Sequence, residues 1–207
     1  MGDAAMLLRW IGVGRTGDPL RVAAAHRAIR RARLRGVVDV VPAPASVLVR
    51  FDPARASVAD LTERLPELAL AGTVVRRPRQ HSVAVRYGGR DGPDLAVVAE
   101  RLRMSEEEVV RRHAAAGYTV LATGFTPGFV YLGPLPARLR LPRRPEPRVS
   151  VPAGSVAIAD ALTGVYGVRS GGGWWLIGRA EAPVFQPQRS PPTNFAVGDR
   201  VMFVAAA

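Results

Sequence analysis

YTVLATGFTPGFVYLG, Tyr118–Gly133, is where the hydrophobic pattern of the chain changes. From Tyr118 onward short apolar runs alternate with glycine and proline: YTVLATGF, FVYLG, VSVPAGSVAIA, GVYGV, WWLIG, PVF and DRVMFVA. Runs this short, with no long helical window between them, predict antiparallel strands in a barrel or a sandwich. Just upstream, SVAVRY (Ser82–Tyr87) alternates like a strand, and GGRDGPD (Gly88–Asp94) reads as a turn. A helix is expected from about Pro93 to Arg103. Ser105 and Glu108 form an S-x-x-E capping box for a second helix ending near Ala114.

The N-terminal stretch reads as a small α+β unit. MLLRWI (Met6–Ile11) is a strand, and Asp18-Pro19 opens a helix to about Leu34 with Leu20, Ala24 and Ala28 on its inner face. VVDVV (Val37–Val41) and SVLVRF (Ser46–Phe51) are two strands around a turn. Ser57 caps a helix from Val58 to about Leu68, burying Leu61, Leu65 and Leu68, and Thr73–Val75 supplies a last strand. The order is βαββαβ. RRPR at Arg76–Arg79 marks a boundary, so residues 1–80 and 81–207 are expected to be separate domains.

Composition excludes several chemistries. The 207 residues contain no cysteine, which removes disulfides, thiolate catalysis and cysteine-ligated metals. They also contain no lysine; all 29 basic residues are arginine, against 17 acids. That excludes a G-x-x-x-x-G-K-[ST] phosphate loop and Schiff-base catalysis. Glycine and proline together are about a fifth of the chain. Charge is spread: residues 1–80 carry 14 arginines and 7 acids, residues 81–207 carry 15 and 10. The clusters RRARLR (Arg30–Arg35) and RRPR (Arg76–Arg79) suit either a phosphate-binding surface or a solvated helix face with a basic linker, and no nucleic-acid motif accompanies them. The longest uncharged stretch, His113–Ala137, holds four glycines and three prolines, so no spanning helix is expected. The N-terminus carries no signal-peptide pattern, and a cytoplasmic protein is expected.

Three segments carry candidate chemistry. GFTPGFVYLG (Gly124–Gly133) places Phe125, Phe129 and Tyr131 among glycines with Pro127; such aromatics either wall a pocket or fill the core. RVSVPAGSVAIA (Arg148–Ala159) offers Ser155 and the amides of a Pro-Ala-Gly-Ser turn, and Arg148 either as a carboxylate or phosphate clamp or as a surface arginine near Arg143 and Arg144. SGGGWWLIGR (Ser170–Arg179) resembles a loose anion nest, with Trp174 and Trp175 on opposite faces. Of three histidines, His26 is expected exposed and His81 begins a strand. His113 ends a helix, either at the pocket as an acid or base or merely at the helix dipole. No metal site is expected.

VRYGGRDGPDL, SEEEVVRRHAAAGYTVLATGFTPGFVYLG and LPRRPEPRVSVPAGSVAIADALTGVYGVRSGGGWWLIGRA together resemble one family. It is the allophanate hydrolase subunit 1 family, also known as the 5-oxoprolinase B subunits, which includes sporulation-kinase inhibitors of the KipI type. VVDVVPAPASVLVRFDP is similar too. The resemblance implies an α+β N-terminal domain followed by a mainly β, cyclophilin-like barrel. It implies a subunit of an ATP-dependent 5-oxoprolinase, converting 5-oxoproline to glutamate and inactive alone. The partners would be a homologous subunit 2, akin to the 5-oxoprolinase C subunit, and a lactam-utilisation protein. ATP would be used by the complex, since this chain has no nucleotide motif and no metal or biotin attachment site. The alternatives within the family are a histidine-kinase inhibitor and a carboxyltransferase subunit of a biotin-dependent urea carboxylase.

The family's motif positions place substrate contacts at Tyr118, Phe125, Pro127, Gly128, Phe129, Tyr131, Arg148, Pro152, Gly154, Ser155, Thr163 and Trp174. His113, Arg148 and Ser155 are the catalytic candidates. The glycine-aromatic hairpin and the Ser155 turn are expected to close over one hollow. The chain departs from the family at Leu162, where glutamine is usual, at Asp160, at Gly167 and at Pro44.

Overall fold

The structure, a computed structural model, describes residues 4–9, 19–43, 45–72 and 77–206. The chain divides into two compact units, Met1–Arg77 and Pro78–Ala207.

The first unit runs β1 (Ala5–Arg9), α1 (Pro19–Ala32), β2 (Val37–Ala43), β3 (Ser46–Phe51) and α2 (Val58–Ala71). β3 lies between β1 and β2, antiparallel to both. Alternation along β3 turns Val47, Val49 and Phe51 to one face, where they pack with Ile29 of α1 and with Leu61 and Leu65 of α2. Ser57 caps α2 by accepting from the Asp60 amide. Three expectations shift. The core face of α1 is Val22, Ala25 and Ile29, with only Ala24 of the expected stripe fully buried. The helix ends at Ala32, followed by left-handed Arg33 (φ 43°) and Gly36 (φ 80°), where a Cβ would lie 2.7 Å from that of Ala56. His26 is half-buried and bonded to the Val40 carbonyl at 3.1 Å, and burial, followed by Arg30, lowers its pKa. The Asp18 cap, the end of the MLLRWI strand, the Thr73–Val75 strand and Pro44 lie outside the described residues.

The second unit contains β4 (Gln80–Tyr87), α3 (Leu95–Leu102), α4 (Glu106–Ala115), β5 (Gly117–Thr123), β6 (Val130–Gly133), β7 (Arg148–Val151), β8 (Ser155–Ala159), β9 (Leu162–Val165), β10 (Ser170–Gly172), β11 (Trp175–Ala180) and β12 (Arg200–Ala205). Seven strands close into a barrel in the order β11-β4-β12-β5-β6-β9-β8, with β8 returning to β11. β7 and β10 form a separate two-stranded ribbon. PVF (Pro183–Phe185) is loop rather than strand; Phe185 packs so tightly under Gly128 (φ 71°) that a Cβ there would lie 2.3 Å from it. The capping box is half made. Ser105 accepts from the Glu108 amide, while the Glu108 carboxylate turns to Arg111 and Arg112.

Period-two alternation sorts the barrel's side chains into two ranks. Val85, Val120, Leu132, Ile158, Ile177 and Phe203 belong to the core that fills the barrel. Their neighbours Phe129, Ala157, Ala159 and Leu176 point outward into a second cluster with Tyr166 and Trp174. Each large apolar side chain buried in either rank contributes about 1.5–3 kcal/mol. Trp175 is in the inner rank and Trp174 in the outer, as the alternation predicts.

Candidate functional site

The outer aromatic cluster borders a cavity of about 450 Å³ within the second unit. Phe129 is its pivot. The ring stands edge-on to Tyr131 at 4.6 Å, to Tyr166 at 4.9 Å, to Trp174 at 5.5 Å and to Phe125 at 5.8 Å between centroids. These edge-to-face arrangements are favourable ones for aromatic pairs, and they fix the wall. The ribbon edge Ser170–Gly173 forms another side, with Arg143, Pro147 and Arg148 beside it. Gly172 must be glycine, because a Cβ there would fall 2.1 Å from the Tyr166 hydroxyl. Phe125 sits at the cavity with φ 72° and 67% exposure. A bulky residue held in the left-handed region stores strain of the kind found at ligand sites.

One polar atom of the cavity lining is unsatisfied. Thr126 Oγ1 is buried and has no hydrogen-bond partner. Burial raises the pKa of Tyr131, opposed by Arg143. Burial pushes Tyr166 up to about 12, with Tyr131 adding to the shift and Arg143 and Arg148 opposing it. Both phenols therefore stay protonated near neutrality and can donate.

Arg148 is held from behind. Its two terminal nitrogens donate to Asp94 at 2.8 and 2.7 Å, while Arg144 donates to the same carboxylate at 2.9 Å and the Leu176 amide at 2.7 Å. Asp94 is 3% exposed. This four-bond clamp ties the start of α3 to β7 and β11, and hence to Trp174. It also occupies the guanidinium that was expected to grip a substrate carboxylate.

The candidate residues part company here. Phe125, Phe129, Tyr131, Arg148 and Trp174 line one cavity. Pro127 and Gly128 belong to the turn that carries Phe125 and Phe129, but they do not line it. His113 lies inside the barrel, fully buried, with Nδ1 2.7 Å from the Tyr87 hydroxyl and Nε2 2.9 Å from Thr163 Oγ1. Thr163 spends its proton on the Ala157 carbonyl, so Nε2–H must donate to Thr163 and Nδ1 must accept from Tyr87. Burial lowers the His113 pKa to about 3, so the ring is neutral. Tyr118 donates to the His113 carbonyl and packs in the same core. His113, Tyr118 and Thr163 are thus internal supports, not cavity groups.

Ser155 is 2% exposed and stands outside the cavity wall. Its amide donates to the Pro152 carbonyl, and the Gly154 amide donates to the Tyr166 carbonyl at 2.7 Å. The Ser155 amide is therefore spent within the turn and the Gly154 amide on holding Tyr166. Phe129 and Ser155 do not close over the same hollow, although Ser155 shares the outward parity of Ala157 and Ala159. Leu162 packs against the outer aromatic cluster.

Sequence reasoning missed Thr126, Arg143, Tyr166 and Asp94 as site-forming residues. The first lies inside the glycine-aromatic motif and the second close to Arg148. Asp94 is separated from Arg148 by 54 residues, and nothing local announces the pairing. No group of three or more histidine, aspartate or glutamate side chains fit for a metal occurs among the described residues. No helix among them is long and apolar enough to cross a membrane.

The family model for the carboxyltransferase domain, subdomain C and D, matches residues 1–195. The 5-oxoprolinase B subunit of Bacillus subtilis (strain 168) is 38% identical over 99% of this chain and 90% of its own length. A crystal structure of TTHA0988 superposes with a TM-score of 0.85 at 40% identity, covering 98% of this chain and 39% of that one. This chain thus spans about two fifths of that longer protein. The Kluyveromyces lactis urea carboxylase shares the fold, with a TM-score of 0.77 at 17% identity over 100% of this chain and 21% of that one. From its sequence match along nearly the whole length, the chain belongs to the carboxyltransferase C and D domain family, among the 5-oxoprolinase B subunits.

Proposed function

We propose that this chain is the B subunit of a 5-oxoprolinase-type complex, in which it holds the cyclic amide while partner subunits complete an ATP-driven ring opening to glutamate. The observation that carries the reading is the aromatic cavity with its unpartnered Thr126 hydroxyl. A lactam has two flat apolar faces and a polar edge. Phe129, Tyr131 and Trp174 offer walls for the faces, and Thr126 offers a hydrogen bond to the edge. Opening the amide requires a base or nucleophile and donors for the developing oxyanion. Donors are present at Thr126, Tyr131 and Tyr166, but no carboxylate or imidazole lines the cavity among the described residues. The chain therefore binds and polarises, and the base comes from a partner: the homologous subunit 2 or the lactam-utilisation subunit. ATP is a reactant of the assembled complex, which fits a chain without a phosphate loop. A cytoplasmic location follows from that requirement.

Reconstitution tests this. Glutamate release from 5-oxoproline and ATP is expected only when the partner subunits are present. No turnover in any combination overturns it. The carboxyltransferase description of the family favours a second reading, and the same mixtures assayed for biotin-dependent carboxylation of urea examine it.

A further inference from the structure

We propose that the cavity selects small ring acids over their neutral analogues, and that Arg143 is the residue that reads the carboxylate; this rests on the cavity being the substrate site. Two guanidinium groups line the cavity, and their situations differ. Arg148 has both terminal nitrogens engaged by buried Asp94. Its charge is matched and its hydrogen-bonding fork is used. Arg143 has only a loose pairing, Nε to Asp160 at 3.7 Å, with side chains 64% and 62% exposed. That distance is too long for a hydrogen bond, and water screens the pair. No hydrogen bond among the described residues occupies its terminal nitrogens, which are free for a bidentate contact with a planar carboxylate.

The surroundings share the same polarity. No acidic side chain lines the cavity among the described residues. The phenols of Tyr131 and Tyr166 both feel the Arg143 charge, and the hydroxyls have no partner among the described residues. Thr126 Oγ1 is the orphaned polar atom of the wall. The ribbon Ser170–Gly173 presents backbone almost free of side chains, so a ligand can approach it closely. A fork-shaped cation, hydroxyl donors and flat aromatic walls together suit a compact ring bearing a carboxylate. A neutral analogue loses the charge-assisted pair and keeps only the walls.

Binding to the full chain, read by calorimetry or by tryptophan emission, tests the assignment with 5-oxoproline, its uncharged carboxamide, benzoate and inorganic phosphate. The wild-type chain is expected to bind 5-oxoproline at least about tenfold more tightly than the carboxamide. Arg143→Gln is expected to erase that preference, with 5-oxoproline affinity falling to about that of the carboxamide. Arg143→Lys keeps the charge without the fork and should restore only part of it. An unchanged preference in Arg143→Gln, equal binding of acid and carboxamide by the wild type, phosphate bound as well as the ring acids, or no binding of any ring acid overturns the proposal. Arg143-dependent binding of benzoate without binding of 5-oxoproline supports acid recognition and sinks the 5-oxoproline reading instead.

Discussion

The inside of the barrel and the cavity on its outside treat polar groups in opposite ways. Inside, His113 is sealed with both ring nitrogens bonded, and Thr163 and Tyr118 are each paired. Outside, the Thr126 hydroxyl is buried without a partner, and Phe125 is held in a left-handed conformation beside it. A fully paired buried network gives rigidity and one unique packing. An unpaired buried hydroxyl costs stability and is retained where something else completes it. The difference places the histidine among the paired, sealed groups of the barrel and away from the cavity. The proposed ligand site holds the polar atom left without a partner.

The sharpest way to break this division is at Asp94, which anchors the outer face from behind. Asp94→Ala leaves two arginines and the Leu176 amide without their acceptor. It should cost about 3–5 kcal/mol in urea unfolding, and a loss below about 1 kcal/mol would show that the clamp is ornamental. His113 probes the inner face. Its folded pKa, about 3, lies below the ordinary 6.5, so the unfolded chain takes up a proton that the folded chain refuses. The associated stability is present above pH 6.5 and is lost as the pH falls toward 3, by up to about 1.4 kcal/mol per unit. Unfolding measured between pH 6.5 and 4 should show this slope, and His113→Gln should flatten it.

Thr126→Val separates the two faces by sign. Removing an unpaired buried hydroxyl should stabilise the free chain by about 1 kcal/mol and weaken ligand binding. Destabilisation in thermal melts would reveal a structural partner and erase the contrast. The smallest effect is expected at Phe125. Phe125→Gly relieves the left-handed strain and should raise stability by about 0.5 kcal/mol, the gain being offset by glycine's entropy. Ligand affinity should fall as one aromatic edge is lost.

Legibility followed the range of the interaction. The change near Tyr118, the capping residues Ser57 and Ser105, and the split of Trp174 from Trp175 depend on neighbours two to four residues away, and the sequence displays them. The face of α1 was ambiguous because alanines offer two overlapping stripes, and β3 chose the one with Val22 and Ile29. In the sequence, Arg148 and Ser155 look like donors open to a ligand. Their acceptors, Asp94 and the Pro152 carbonyl, became apparent only once the barrel had closed. Thr126 stood within the quoted motif, but an empty hydrogen-bond position has no sequence signature.

The first and last strands of the barrel, β4 and β12, run parallel and side by side, with Arg200 opposite Gln80 and Ala205 opposite Val85. A growing polypeptide cannot complete this cylinder until β12 has left the ribosome. Until then β4 and β5 present unpaired rims that invite mispairing. Tags or fusions that hinder residues 200–205 should therefore harm yield more than equal additions in the loop near residue 188, whatever they do to the cavity.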